Sequence, residues 1–306
     1  MRRALGLCAA IASALTFLSA CATPATKAIE ITQSDVTSAR IQSAEHPKYS
    51  RVIALANGSA EIIDSLGLKS ILVGRDIAST DSSLESIPIV TSGHQVIAEK
   101  IIALNPDLVI IDSSVGPSQA IDALKKAAIN VRTINEAWAV GDIAKKVSEV
   151  ASLIGAEKSG VSLADLISTS IKSSLPTLAN KPRIAFLYLR GGSSIYLLGG
   201  KGSGADSLIH ALGAIDVGSE ISSTPFTTLT AETFASAKPD VILVMIKGLQ
   251  SVGGVDGLIA LPGIAQTPAG KNRRIIAVDD SLLLSFGPRT PDLLQHLATS
   301  INEVNK

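Results

Sequence analysis

Disulfides, aromatic platforms and a dominant charge are all missing from this sequence. Its two cysteines are Cys8 and Cys21, and Cys8 falls in an N-terminal stretch with the pattern of a removable signal. One cysteine is left for the mature chain, so no internal disulfide is available and stability must come from a packed core. Aromatic residues make up 3% of the chain, too few for platforms that stack nucleic-acid bases. Lys plus Arg and Asp plus Glu number 27 each and no long basic run occurs, which argues against a nucleic-acid partner. Beyond the N-terminal signal no stretch is long and apolar enough to span a bilayer. No Ser-His-Asp order, paired-carboxylate site or Cys/His zinc spacing stands out. An exported α/β enzyme therefore stays open only as an alternative with no nameable nucleophile.

What is present begins at the N-terminus. Arg2 and Arg3 precede an apolar run from Leu5 to Leu18, the layout of an export signal over residues 1–20. The run ends in Leu18-Ser19-Ala20-Cys21, which resembles the lipobox of bacterial lipoproteins. That resemblance implies cleavage before Cys21, lipid on its sulfur, and a cell-membrane anchor on the extracytoplasmic face. Residues 21–48 are rich in Ser, Thr, Ala and Gln with little periodicity, and are expected to form a flexible tether.

A 14-residue pattern then occurs twice. Residues 98–111 run Ala-Glu-Lys-Ile-Ile-Ala-Leu-Asn-Pro-Asp-Leu-Val-Ile-Ile, and residues 231–244 run Ala-Glu-Thr-Phe-Ala-Ser-Ala-Lys-Pro-Asp-Val-Ile-Leu-Val. Each copy reads as a short helix stopped near a proline and followed by a buried strand. Glu61 to Gly67 and Asp206 to Gly213 form a looser second match. Apolar strands are expected at 51–55, 70–73, 87–90 and 131–134, then at 183–189, 242–245 and 275–278. They alternate with helices, which indicates βαβ units and mainly parallel sheets. The expected fold is α/β, with an N-terminal lobe over 49–140 and a C-terminal lobe over 176–306. Between them, residues 141–175 show helical spacing interrupted by Gly155 and Gly160. Even kinked, about 30 helical residues at 1.5 Å each would reach roughly 45 Å, enough to join two lobes.

In open α/β sheets ligands bind beyond the carboxyl ends of strands. His94 follows such an end, after Ser92-Gly93 and before the helix that carries Glu99. Tyr188 lies near the carboxyl end of the second lobe's first strand, and Arg190, two residues on, projects to the same face. A guanidinium beside a phenol favours its anionic form, the form that ligates ferric iron. Facing lobes with His94 on one and Tyr188 on the other could supply both axial ligands of a haem iron. Tyr196 and Arg289 are further cleft candidates, Arg289 toward a haem propionate. His210 reads as helix packing, and the loop Gly199 to Gly204 lacks the Gly-Lys-Ser/Thr ending of a phosphate loop.

With these residues in hand, the chain from about 50 to 300 resembles the periplasmic-binding-protein superfamily in which one long helix joins two Rossmann-like lobes. Those proteins serve ABC importers of haem, ferric siderophores and cobalamin. Ser-Gly-His before the Ala-Glu helix, and Tyr-x-Arg on the second lobe's first strand, resemble the haem-binding lipoproteins of actinobacteria. The resemblance implies His94 and Tyr188 as axial haem ligands, with Arg190 hydrogen-bonded to the tyrosine. It also implies that Glu99 and Glu232 dock against the importer's permease, with Glu61 and Asp206 as weaker candidates. Expected partners are the permease and its ATPase, haem or an upstream haem donor, and the membrane through the anchor. The alternative cargo within the fold is a ferric siderophore or cobalamin.

Overall fold

The computed structural model describes residues 27–305 apart from His94, Leu175, Pro176, Ala179 and Leu229. Thirteen strands form two principal sheets and one small hairpin among the described residues. In chain order they are β1 (Ile29–Ile31), β2 (Val52–Ala54), β3 (Leu72–Arg75), β4 (Thr91–Ser92), β5 (Gln95–Val96), β6 (Leu108–Ile111), β7 (Val131–Thr133) and β8 (Arg183–Arg190). They continue with β9 (Ile195–Gly199), β10 (Ile215–Asp216), β11 (Phe226–Thr228), β12 (Val241–Met245) and β13 (Ile275–Val278). The first lobe's sheet has the order β3-β2-β6-β7, all parallel. The second lobe's sheet has the order β1-β13-β12-β8-β9-β11, with β9 antiparallel to both its neighbours and β10 pairing beside the start of β8. The helices used below are α1 (Ser59–Ser65), α2 (Ala98–Ala103), α3 (Ser118–Lys126), α4 (Ile143–Ile154), α5 (Glu157–Ser174), α6 (Ala205–Ala211), α7 (Val217–Ile221) and α8 (Ala231–Ala237).

The duplicated sequence acquires a physical meaning here. α2 ends with Asn105 at φ 45° and α8 with Lys238 at φ 47°, so both copies stop in the left-handed region one residue before their proline. Arg51 Nη2 then donates to Leu104 O at 2.6 Å, and Arg183 Nη2 to Ala237 O at 3.1 Å. The cations sit on the helix carbonyls that lack intrahelical partners. The duplicated aspartates close each unit: Asp107 accepts the Arg51 N–H at 3.0 Å, and Asp240 accepts the Arg183 N–H at 2.9 Å. Each lobe's first strand is thus stapled to its Ala-Glu helix in the same way.

Most expected strands form within a residue or two. At 87–90 only an isolated bridge between Ile89 and Arg75 remains. Pro88 has no N–H to give to a ladder, and pairing stops there.

Two expectations about connections are corrected. Residues 141–175 are not one kinked strut. Gly155 at φ 77° ends α4, and the Ala156 N–H returns to Ala151 O at 2.9 Å. α5 then packs back on α4, with Gly160 so close that a Cβ there would lie 2.4 Å from Ala151 Cβ. The two glycines that weaken a straight helix are the turn and the contact of a helical hairpin. α5, 18 residues and therefore about 27 Å long, is the long helix that leads into the second lobe.

The tether expected over 21–48 is also revised for its described part. From residue 27 the chain is a strap across both lobes. β1 adds a parallel edge strand to β13. Thr37 gives its N–H and its hydroxyl to Asp292 at 2.7 and 2.8 Å, and the Ala39 N–H bonds Pro288 O at 2.9 Å. Arg40 then pairs with Asp64 at 2.6 Å in the first lobe, and the Lys48 N–H bonds Ile154 O at 2.7 Å. Short polar segments satisfied by specific partners look the same in composition as a solvated linker. Residues 1–26, including the expected signal and Cys21, lie outside the described residues.

One apolar cluster runs through both lobes. It joins Val52, Ile62, Leu108 and Val147 to Phe186, Leu208, Ile276 and Leu297. The lobes therefore share a core and are not two bodies on a flexible link.

Candidate functional site

The carboxyl ends of the strands in the two lobes face one another. Asn57, just past β2, donates through Nδ2 at 3.2 Å to Leu284 O, at the end of the short helix Asp280–Leu283 that follows β13. Val140, past β7, donates its N–H to Ser207 Oγ of α6 at 2.9 Å. The residues named from sequence are placed differently with respect to this junction.

Tyr188 and Arg190 are brought together. Both lie on the same face of β8, and the Arg190 Nε–H donates to Tyr188 Oη at 2.6 Å. The guanidinium carbon also stands 5.2 Å from the ring centroid. Phe226 of β11 backs the tyrosine, with ring centroids 5.7 Å apart and planes at 59°. The tyrosine is half-buried and packs against the shared core, while the arginine is exposed. The phenol oxygen is thus held in place, receives a charge-assisted hydrogen bond, and keeps a lone pair for a metal. Sequence reading missed Phe226, which lies 38 residues along the chain and meets Tyr188 through the β8–β9–β11 ladder.

Tyr196 and Arg289 are not cleft groups. In the antiparallel hairpin Tyr196 pairs with Leu189, and Tyr188 pairs with Leu197. Opposed residues share a face, so Tyr196 lies on the other side of the sheet from Tyr188, against the second apolar cluster. Arg289 is 1% exposed and forms a two-pronged ion pair with Glu61, its Nε reaching Oε2 at 3.1 Å and its Nη2 reaching Oε1. It ties the second lobe to α1, and at this burial it does not reach a propionate in the cleft, although its buried Nη1 has no hydrogen-bond partner among the described residues. Glu61, itself 2% exposed, is by the same contact not a docking residue. Burial pushes its carboxyl up to about 7, with Arg289 pulling it back and Asp81 and Asp76 adding to the rise. Nearby Lys146 donates to Ser285 O at 2.9 Å and Phe286 O at 3.3 Å, and burial lowers its ammonium to about 8.

Glu99 and Glu232 are both exposed, each in the first turn of its helix, and neither carboxylate has a polar partner among the described residues. Asp206 instead accepts N–H groups from Gly202 at 2.8 Å and Gly204 at 3.0 Å. A carboxylate occupies the donors of that glycine loop, which confirms it as a structural turn. His210 is exposed and does not pack as expected.

His94 lies outside the described residues. Its neighbours place the segment: β4 and β5 pair Ser92 with Gln95, and Gly93 borders a cavity of about 110 Å³ with Ile77, Asp76, Thr91 and Ser114. That cavity sits at the carboxyl ends of β2, β3 and β6. No cluster of three or more His, Cys, Asp or Glu suited to a metal ion occurs among the described residues, and none of their helices is long and apolar enough to cross a membrane.

Comparison with known proteins places this geometry. A family model described as periplasmic binding protein matches residues 52–282. The chain is 27% identical to an uncharacterized ABC transporter substrate-binding lipoprotein, YvrC of Bacillus subtilis, with 98% of each chain covered. Among solved structures it is similar to the apo form of the periplasmic heme-binding protein RhuT from Roseiflexus sp. RS-1. That match has 33% identity and a TM-score of 0.77, covering 84% of this chain and 99% of that one. It is also similar to an arginine-to-alanine variant of the heme-binding protein HmuT, with 30% identity and a TM-score of 0.80 over 90% and 94% of the two chains.

Proposed function

This chain belongs to the periplasmic binding protein family, and we propose that it is a lipid-anchored carrier that captures haem between its lobes and delivers it to an ABC importer. The observation that carries the reading is the Tyr188–Arg190 hydrogen bond at the carboxyl end of β8. A phenol whose oxygen is fixed by a cation at a strand end offers ferric haem a preoriented oxygen ligand. His94, between β4 and β5 in the sequence of the first lobe, is the proposed second ligand. The two solved relatives named above are described as heme-binding, which favours haem over a siderophore or cobalamin. YvrC's description as a substrate-binding lipoprotein supports Cys21 as the lipidated residue and an extracytoplasmic location at the cell membrane.

In this reading the protein is a transport component and not an enzyme. Glu99 and Glu232 are the permease-docking carboxylates. Exposed ion pairs contribute about 0.2–1 kcal/mol each, so they orient the carrier on its permease more than they hold it there. The test is a haemin titration of the exported domain and of His94→Ala and Tyr188→Ala variants. The wild type should give a saturable Soret band at one site, altered in both variants. A spectrum unchanged by either substitution would remove that residue from the ligand set.

A further inference from the structure

The N-terminal lobe contributes more to the cleft than the segment around position 94. Two cavities, about 70 and 110 Å³, lie side by side at the carboxyl ends of its strands and share Asn57 and Ser114 as walls. The first is lined by both Leu284 of the second lobe and Trp138. Trp138 lies past β7 in the segment that leads to α4. It is the only tryptophan, and it is 46% exposed. Ile77, on the wall of the second cavity, is 47% exposed.

The indole is not loose. Its Nε1–H donates to Glu136 Oε2 at 2.6 Å, and the other oxygen of Glu136 accepts from the Ser113 hydroxyl. Asp142 accepts the backbone N–H groups of Trp138 and Ala139 at 3.3 and 3.1 Å. The polar end of the ring and its backbone are both fixed, nearly half of its surface is left open, and it lines the same cavity as Leu284 of the second lobe. A tied indole leaves its faces for a flat apolar ligand at little entropic cost, because the rotamer is already chosen.

We propose that Trp138, oriented by Glu136, is the apolar contact of the first lobe for the porphyrin plane of the cargo. The inference rests on the haem reading and adds to it a recognition element that does not involve the metal. Tyr188 selects for iron, whereas Trp138 selects for a flat macrocycle with or without iron. Glu136 acts through the indole as a positioning residue.

The experiment titrates haemin and iron-free protoporphyrin into the wild-type protein and into Trp138→Ala, Trp138→Phe and Tyr188→Phe variants. Removing a central aromatic contact costs on the order of thirtyfold in affinity. Trp138→Ala should weaken both ligands by about that factor. Trp138→Phe should retain most of the binding, and Tyr188→Phe should weaken haemin alone. Circular dichroism and melting curves matching the wild type establish that the variants fold. Equal affinities of wild type and Trp138→Ala for both porphyrins would overturn the proposal while leaving the haem reading intact. Failure of the wild type to bind either porphyrin would instead overturn the haem reading and this inference with it. Glu136→Ala should lower the fluorescence anisotropy of the single tryptophan in the free protein, while Glu136→Gln, which keeps an acceptor for the indole N–H, should not. An unchanged value in Glu136→Ala would remove Glu136 from the positioning role.

Discussion

Glu61 makes the stability of this protein fall as pH rises from 4.5 to about 7. Its ordinary value is 4.5 and its folded value is about 7, chiefly because burial penalises the charged carboxylate. Between those two values the folded chain holds the proton more tightly than the unfolded chain. The stabilisation is complete below pH 4.5 and is lost as pH climbs through 7. Across that interval, at about 1.4 kcal/mol per pH unit, the change is roughly 3 kcal/mol. Lys146 works in the opposite sense. Burial lowers it from 10.5 to about 8, so the unfolded chain holds its proton more tightly and stability rises from pH 8 toward 10.5. The two effects leave a minimum between pH 7 and 8. Asp35, Asp81 and Asp107 are all held low by hydrogen bonds, so their contributions change only below about pH 4. Buried Asp76 is raised like Glu61, so the wild-type curve alone does not isolate one group. Urea unfolding at pH 5 to 9.5 should therefore be compared with Glu61→Gln, which flattens the acid limb, and with Lys146→Met, which flattens the alkaline one. Glu61→Gln and wild-type curves running parallel from pH 5 to 7 would refute the reasoning.

The strap and the shared core give two more expectations. Ile31 is 2% exposed on β1, and Ile31→Asp buries a charge without a partner. A loss on the order of 3 kcal/mol, or a melting point lower by roughly 6–10 °C, is expected. A melting point within a degree of wild type would mean that the β1 strand adds nothing to the fold. The cluster spanning both lobes, together with the Glu61–Arg289 pair, should also limit lobe movement. X-ray scattering profiles of the free and haemin-loaded protein should nearly superimpose, and a marked fall in radius of gyration on loading would contradict this.

The fold was readable in the sequence where periodicity is local. Apolar runs bounded by Gly, Pro and Asp placed β2, β8, β12 and β13, and the doubled pattern announced two related lobes. Tyr188 and Arg190 were readable for the same reason, because residues two apart on one strand share a face. Tyr196 was misassigned because its face is set by the register of the β8–β9 hairpin, which its own neighbours do not encode. Arg289 was misassigned because its partner Glu61 lies 228 residues away. A buried pair of that kind leaves no local signature. The strap was hidden by its composition, since a three-residue edge strand is too short to show alternation. Trp138 offered a faint signal, as a lone tryptophan just past a strand end in a chain poor in aromatics.

The duplicated and unduplicated parts of the chain occupy opposite ends of the strands. Arg51 with Asp107, and Arg183 with Asp240, pin the amino ends of β2 and β8 to the helices that precede β6 and β12. Such staples need only a cation for helix carbonyls and a carboxylate for a strand N–H, so the same residues serve both lobes. The carboxyl ends meet across the junction, and there the two halves differ. Thr227 stands where the first copy has His94, and its backbone pairs with Leu198 in the second lobe's sheet. Tyr188 and Trp138 likewise have no counterpart in the other lobe at the doubled spacing. A ligand held between two lobes touches each from a different side, so identical walls would present the same group twice. An asymmetric cargo with one metal and one flat apolar plane is better matched by a phenol on one wall and an indole on the other. The symmetry therefore stops at the sheets, and recognition begins where it is broken.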